Sequence, residues 1–135
     1  MAIKLSEAVR NAMLDAIETA IGASAILKIR TGAAPANAAA ADSGTVVATL
    51  NLPSDYLAAA SGGSKAKSGT WDDSSADADG TAAHYRLYAN DGTTCHLQGT
   101  VGGTGSGADM EVDNTSFVTG QSFTITSFSI GAGNA

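Results

Sequence analysis

The stretch TAAHYRLYANDGTTCHLQGTV, residues 81–101, limits the possible folds of this chain more than any other. Two runs of alternating apolar and polar side chains flank Asn90, Asp91 and Gly92, which is the pattern of a β-hairpin with a tight turn. A two-residue turn at Asp91 and Gly92 would set Tyr88 opposite Cys95 and Arg86 opposite Leu97, mixing polar and apolar groups on each face. A three-residue loop with Gly92 left-handed sets Leu87 opposite Cys95 and Tyr85 opposite Leu97. His84 then meets Gln98, Arg86 meets His96 and Tyr88 meets Thr94 on the other face. The second register separates an apolar face from a polar one, so it is the one expected.

The rest of the chain supplies partners for this hairpin. Leu5, Val9, Met13, Ile17 and Ile21 recur every four residues, which predicts one amphipathic helix over 5–21. Ser6 is placed to cap its N-terminus, Glu7 suits the positive end of its dipole, and Gly22 follows its last turn. Arg10, Asn11, Asp15 and Glu18 lie off the apolar stripe. Two uses of that stripe stay open: covering the protein's own sheet, or docking on a neighbouring subunit. Alternation over 24–31 and 46–52 gives two strands, separated by the alanine-rich segment 31–44, which reads as a loop. Ser54 caps a short helix expected over 55–61, and a strand is expected around Trp71. The glycine-rich 102–107 reads as a flexible link. In the last strand Phe123 and Ile125 share a face while Phe128 and Ile130 are out of phase with them, which predicts a bulge near Thr126 and Ser127. The expected fold is mainly β, an antiparallel β-sandwich of about seven or eight short strands. Its N-terminal helix, 1–22, belongs to the same domain as the sandwich, 23–135.

Candidate chemistry is sparse. The acidic run 72–80 invites a calcium-loop reading, with Ser75, Asp77, Asp79 and Gly80 at loop positions one, three, five and six. Position twelve, which needs a bidentate glutamate, is Arg86, so the pattern fails and no metal is expected. Cys95 is the only cysteine, which excludes an internal disulfide and a cysteine-based metal site. Cys95 and His96 are neighbours on a strand and point to opposite faces, so they make no catalytic dyad. His84 and His96 share the polar face without a nearby carboxylate or thiol, which fits a contact patch with Arg86 and Tyr88 better than a metal site. GGTGSG lacks the Lys-Ser/Thr ending of a phosphate loop. No catalytic residue and no cofactor are expected, and the chain reads as non-enzymatic.

Charge narrows the partners. Residues 1–67 carry six basic against five acidic side chains, whereas 68–135 carry Arg86 alone against eight carboxylates. An acidic chain whose residues are only 5% aromatic is a poor match for nucleic acid. No run is long and apolar enough for a membrane span, and Glu7, Arg10 and Asp15 interrupt any leader-like segment, so synthesis and assembly in a cytoplasm are expected. One residue in five is alanine, so the core must come from Val, Ile, Leu and a few rings; this thin core leaves room for a covering partner.

SGTW (68–71), GTAAHYRLY (80–88), TTCHLQGTV (93–101) and VDNTSF with GQSFTITSF near the C-terminus, together with the N-terminal helix, resemble small virion structural proteins of tailed bacteriophages. The resemblance implies a particle component: a head decoration (cement) protein, or a tail or head–tail adaptor subunit. Its partners would be copies of itself and the major capsid or tail proteins. The interface residues expected on this reading are Ala12, Met13 and Ile17 of the helix and His84, Arg86, Tyr88 and His96 of the hairpin. A different class is a carbohydrate-binding module, with Trp71, Tyr85 or Tyr88 as its stacking platform.

Overall fold

The computed structural model of the protein describes residues 3–135. Helix α1 (Glu7–Ile21) starts where predicted: the Ser6 hydroxyl accepts the Val9 N–H at 3.3 Å, and Gly22 takes a positive φ of 92° at the C-cap. The strands that follow are β1 (Ile26–Arg30), β2 (Val46–Asn51), β3 (Ser64–Ala66), β4 (Asp72–Asp73), β5 (Gly80–Thr81) and β6 (His84–Tyr88). They continue with β7 (Cys95–Gly103), β8 (Met110–Val112), β9 (Ser116–Phe117) and β10 (Phe123–Gly131). The fold is mainly β and sandwich-like, with one N-terminal helix.

The large sheet runs β2-β1-β6-β7-β8-β10-β3, with β4 also paired to β10, and β5 with β9 form a small second ladder. Every pairing is antiparallel except β7 with β8, which run parallel. The glycine-rich link turns the chain back for that pair and is pinned by Glu111, whose Oε2 accepts the Gly107 N–H at 3.0 Å. The acidic stretch ties the sheet together: Ile125 N–H donates to Trp71 O, Ala76 N–H to Gln121 O and Asp77 N–H to Val47 O, each within 2.9 Å. It therefore joins β10 to the outer edge of β2 and covers an edge that would otherwise be open.

The hairpin is the centre of the sheet, but its register differs from expectation. Tyr88 faces Cys95, a bulge intervenes, and then Leu87 faces Leu97, Arg86 faces Gln98, Tyr85 faces Gly99 and His84 faces Thr100. Gly92 is left-handed as expected, with φ 72°. The turn is longer than three residues because Asp91 Oδ1 accepts the N–H groups of both Thr93 and Thr94, each at 2.9 Å, while Ala89 N–H closes on Thr94 O. Gly99 locks the register: a Cβ there would sit 2.7 Å from the Tyr85 ring, so only glycine lets that ring lie across β7. The bulge predicted near residue 126 is present, between Ile125 and Ser127, and it keeps Phe123, Ile125 and Phe128 all inward.

Rings compensate for the alanine-rich composition. All seven aromatic side chains are buried, and Tyr56, Trp71, Phe128 and Tyr85 form a chain of tilted and edge-on contacts with centroids 5.5–6.5 Å apart. Leu27, Ile29, Val47, Leu50, Leu87, Met110 and Val112 fill the space around them.

Residues 55–61 are not helical. They run extended, bridging Leu57 to Lys67 and Ser61 to Ser64, because α1 satisfies their backbone. Glu18 accepts the Leu57 N–H at 2.8 Å, Asp15 the Ala60 N–H at 2.9 Å, Asn11 the Gly63 N–H at 2.9 Å and Glu7 the Gly62 N–H at 3.1 Å. Spacings of three and four residues place these four oxygens along one side of the helix. The helix thus docks through its polar side, together with Leu14 and Ile21, which are buried, and Ile17, which packs against the core.

Candidate functional site

Strands β1 and β6 pair so that Lys28 lies opposite Arg86 and Arg30 opposite His84. Side chains two residues apart share a face, so one face of this pair gathers Lys28, Arg30, His84, Arg86 and Tyr88. That face was expected as an open contact patch. It is covered instead by an alanine-rich strap, residues 32–43, and His84, Arg86 and Tyr88 are buried, the Arg86 side chain only 1% exposed.

The strap has almost no apolar grip and is held by polar groups. The His84 ring Nδ1 is 2.7 Å from Gly32 O, Gln98 donates to Pro35 O at 2.6 Å, and Arg86 Nη2 donates to Ala38 O and Ala40 O at 2.8 and 3.0 Å. Its principal anchor is the Asp42 carboxylate, which takes Arg30 Nη2 at 3.0 Å, the Tyr88 hydroxyl at 2.7 Å and Arg86 Nη1. Two buried guanidiniums need a counter-ion, and Asp42 is the only carboxylate between Glu18 and Asp55. Lys28 stands over the Tyr88 ring, 5.0 Å from its centroid, and donates to Gly92 O, so the strap, the strand face and the hairpin tip form one network.

Burial alone would push the pKa of Asp42 up, but the Tyr88 hydroxyl and the two guanidiniums outweigh it and hold this carboxyl below the ordinary range. Tyr88 is pushed up to about 12, first by burial and then by its hydrogen bond to a carboxylate that a phenolate would repel. The signal for Asp42 was present in the sequence: alternating cations on two strands and one lone carboxylate in an alanine-rich segment. Reading 31–44 as a plain loop hid it.

The remaining expected interface residues are elsewhere. On α1, Ala12 is exposed, Met13 is 53% exposed and Ile17 is half-buried. The predicted stripe is therefore split: Ile17 and Ile21 turn inward, while Val9 and Met13 face solvent beside the exposed Ala8, Ala12, Ala16 and Ala20. The helix is rotated from its hydrophobic expectation because the four side-chain oxygens on backbone N–H groups, with Lys65 on Asp15 at 2.7 Å, fix its orientation. His96 is exposed, away from the buried His84. The structure does not bring the seven residues together; it separates a buried polar network from an outward apolar helix face.

Other expectations can be placed as well. Trp71, Tyr85 and Tyr88 are all buried, so none of them offers a stacking platform to a sugar. The acidic run is ordered by separate local bonds, Asp77 to the Thr49 hydroxyl at 2.7 Å and Asp79 to the Thr119 N–H at 2.7 Å. Among the described residues no three His, Cys, Asp or Glu side chains converge on one point, and no helix is long and apolar enough to cross a membrane. Comparison with protein-family models, with curated proteins and with solved structures finds no match to this chain.

Proposed function

We propose that this protein is a non-enzymatic structural subunit of a bacteriophage particle, and within that class a head decoration protein that stabilises the capsid. The observation that carries this reading is the outward apolar face of α1. A helix that docks on its own domain through side-chain oxygens, Leu14 and Ile21 while turning Val9, Met13 and four alanines to water keeps that second apolar face free for a neighbour. The alanines permit close approach, and Val9 and Met13 supply the knobs. The occupant on this reading is a neighbouring particle subunit, either another copy of this chain or the major capsid protein. A compact β domain with its sheet edge covered and all its rings buried also suits a part that must persist in many copies without self-aggregating.

Quantitative mass spectrometry of purified particles tests the proposal. Copy numbers comparable with the major capsid protein are expected. Absence from particles, or presence at a few copies each, overturns the decoration reading; a few copies confined to tails would support the adaptor alternative.

A further inference from the structure

Where the hairpin tip meets the strap, residues 38–41, Asp42, Arg86, Thr93, Thr94 and Cys95 line a cleft of about 510 Å³. Cys95 is half-buried there, and its thiol donates to Leu97 O at 3.5 Å, which leaves the sulfur lone pairs free. Arg86 and Cys95 share the wall of this cleft. Arg86 is buried, its two terminal nitrogens are engaged by Asp42 and by the strap carbonyls, and its Nε–H is buried with no acceptor. A buried donor on a cation, unpaired, in the wall of a cleft that also holds the only thiol, calls for an acceptor at that place.

We propose that Cys95 is a site of oxidation by hydrogen peroxide, and that Arg86 retains the product as a sulfenic acid. The sulfur attacks one peroxide oxygen, a S–O bond forms and the O–O bond breaks. Its electron pair leaves on the departing oxygen, which takes the thiol proton and departs as water. Sulfur loses two electrons and the peroxide gains them. The new oxygen on sulfur is the acceptor that Arg86 Nε–H lacks, and a charge-assisted bond there holds the product against further reaction. The chain has no second cysteine, so the sulfenic acid cannot pass to an intramolecular disulfide.

The full-length folded protein is treated with hydrogen peroxide and trapped with dimedone, and the adduct is located by peptide mass spectrometry. A single adduct on Cys95 is expected in the folded protein, with none in Cys95→Ser. Arg86→Lys, which keeps the charge and removes Nε–H, should shorten the lifetime of the trappable species about tenfold, the worth of one charge-assisted hydrogen bond. Labelling seen only after denaturation, or oxidation straight to sulfinic acid with no dimedone adduct, overturns the proposal, as does an unchanged lifetime in a folded Arg86→Lys. Should circular dichroism show Arg86→Lys unfolded, Ala40→Leu decides instead. Filling the cleft should suppress labelling, and undiminished labelling in that variant overturns the proposal.

Discussion

Replacing Asp42 with asparagine tests the central claim about the strap, because it removes the charge and leaves the shape. In the native protein this carboxylate is the counter-ion shared by two guanidiniums whose side chains are 1% and 8% exposed, and it also takes the Tyr88 hydroxyl. Removing one partner of a buried ion pair costs about 3–5 kcal/mol, because the other charge stays buried and unpaired. Asp42 itself is 41% exposed, so water screens part of the interaction and the lower end, about 3 kcal/mol, is expected. In a 135-residue chain that loss corresponds to a fall in melting temperature of about 10 °C. Urea and thermal unfolding followed by circular dichroism measure it, with Asp72→Asn as an exposed control expected within about 0.5 kcal/mol of wild type. The pH dependence adds a second check. The folded carboxyl lies below its ordinary value of 3.8, so its contribution is complete above that pH and is lost as pH falls through the folded value. The gap between wild type and Asp42→Asn should therefore close on acidification. An Asp42→Asn protein as stable as the control at neutral pH would refute the claim that this one carboxylate holds the strap.

Met13→Asp should leave the isolated domain folded and weaken its binding to particles, whereas Leu14→Ala, one residue along, should cost about 2–5 kcal/mol of stability; an unfolded Met13→Asp would show that the exposed face has been misassigned. A chelator should move the melting temperature by no more than about a degree or two. A calcium site saturated at a hundredfold its dissociation constant would contribute about 2.7 kcal/mol, so a drop of several degrees would restore the acidic run as a ligand set. Tyr56 and Tyr88 are both pushed up to about 12, burial being the first cause in each, and burial raises Tyr85 as well. Their contribution to stability is complete below the ordinary value of 10.0 and is lost as pH rises through the folded values. Phenolate absorbance should accordingly stay low at pH 10 while the protein is folded, and a half-developed signal there would contradict the burial of these rings.

The outward face of α1 and the covered face of β6 bear differently on function. Exposed apolar surface is a means of association, and the strap removes the hairpin's polar face from that role. On the reading proposed above, contact with a neighbouring subunit would rest on the helix, and the hairpin tip is left with the thiol cleft.

The sequence by itself determined the elements whose signals are local. The Ser6 cap, the helical period, the alternation of β1 and β2 and the phase change at the bulge in β10 each depend on residues a few positions apart, and each is where the pattern placed it. Only the tertiary structure decided which faces are covered. Every residue of β6 is buried, so alternation had no wet side to mark the hairpin's register, and Gly99 under the Tyr85 ring set it instead. The helix obeyed its period but not its stripe, because four hydrogen bonds to residues 57–63 fixed its rotation. The polar face became an interior because Asp42 returns, 44 positions before Arg86, as its counter-ion. Local propensity fixes period and caps; the choice of buried face depends on partners brought together only by the fold, and for charged residues a single distant counter-ion is enough to reverse it.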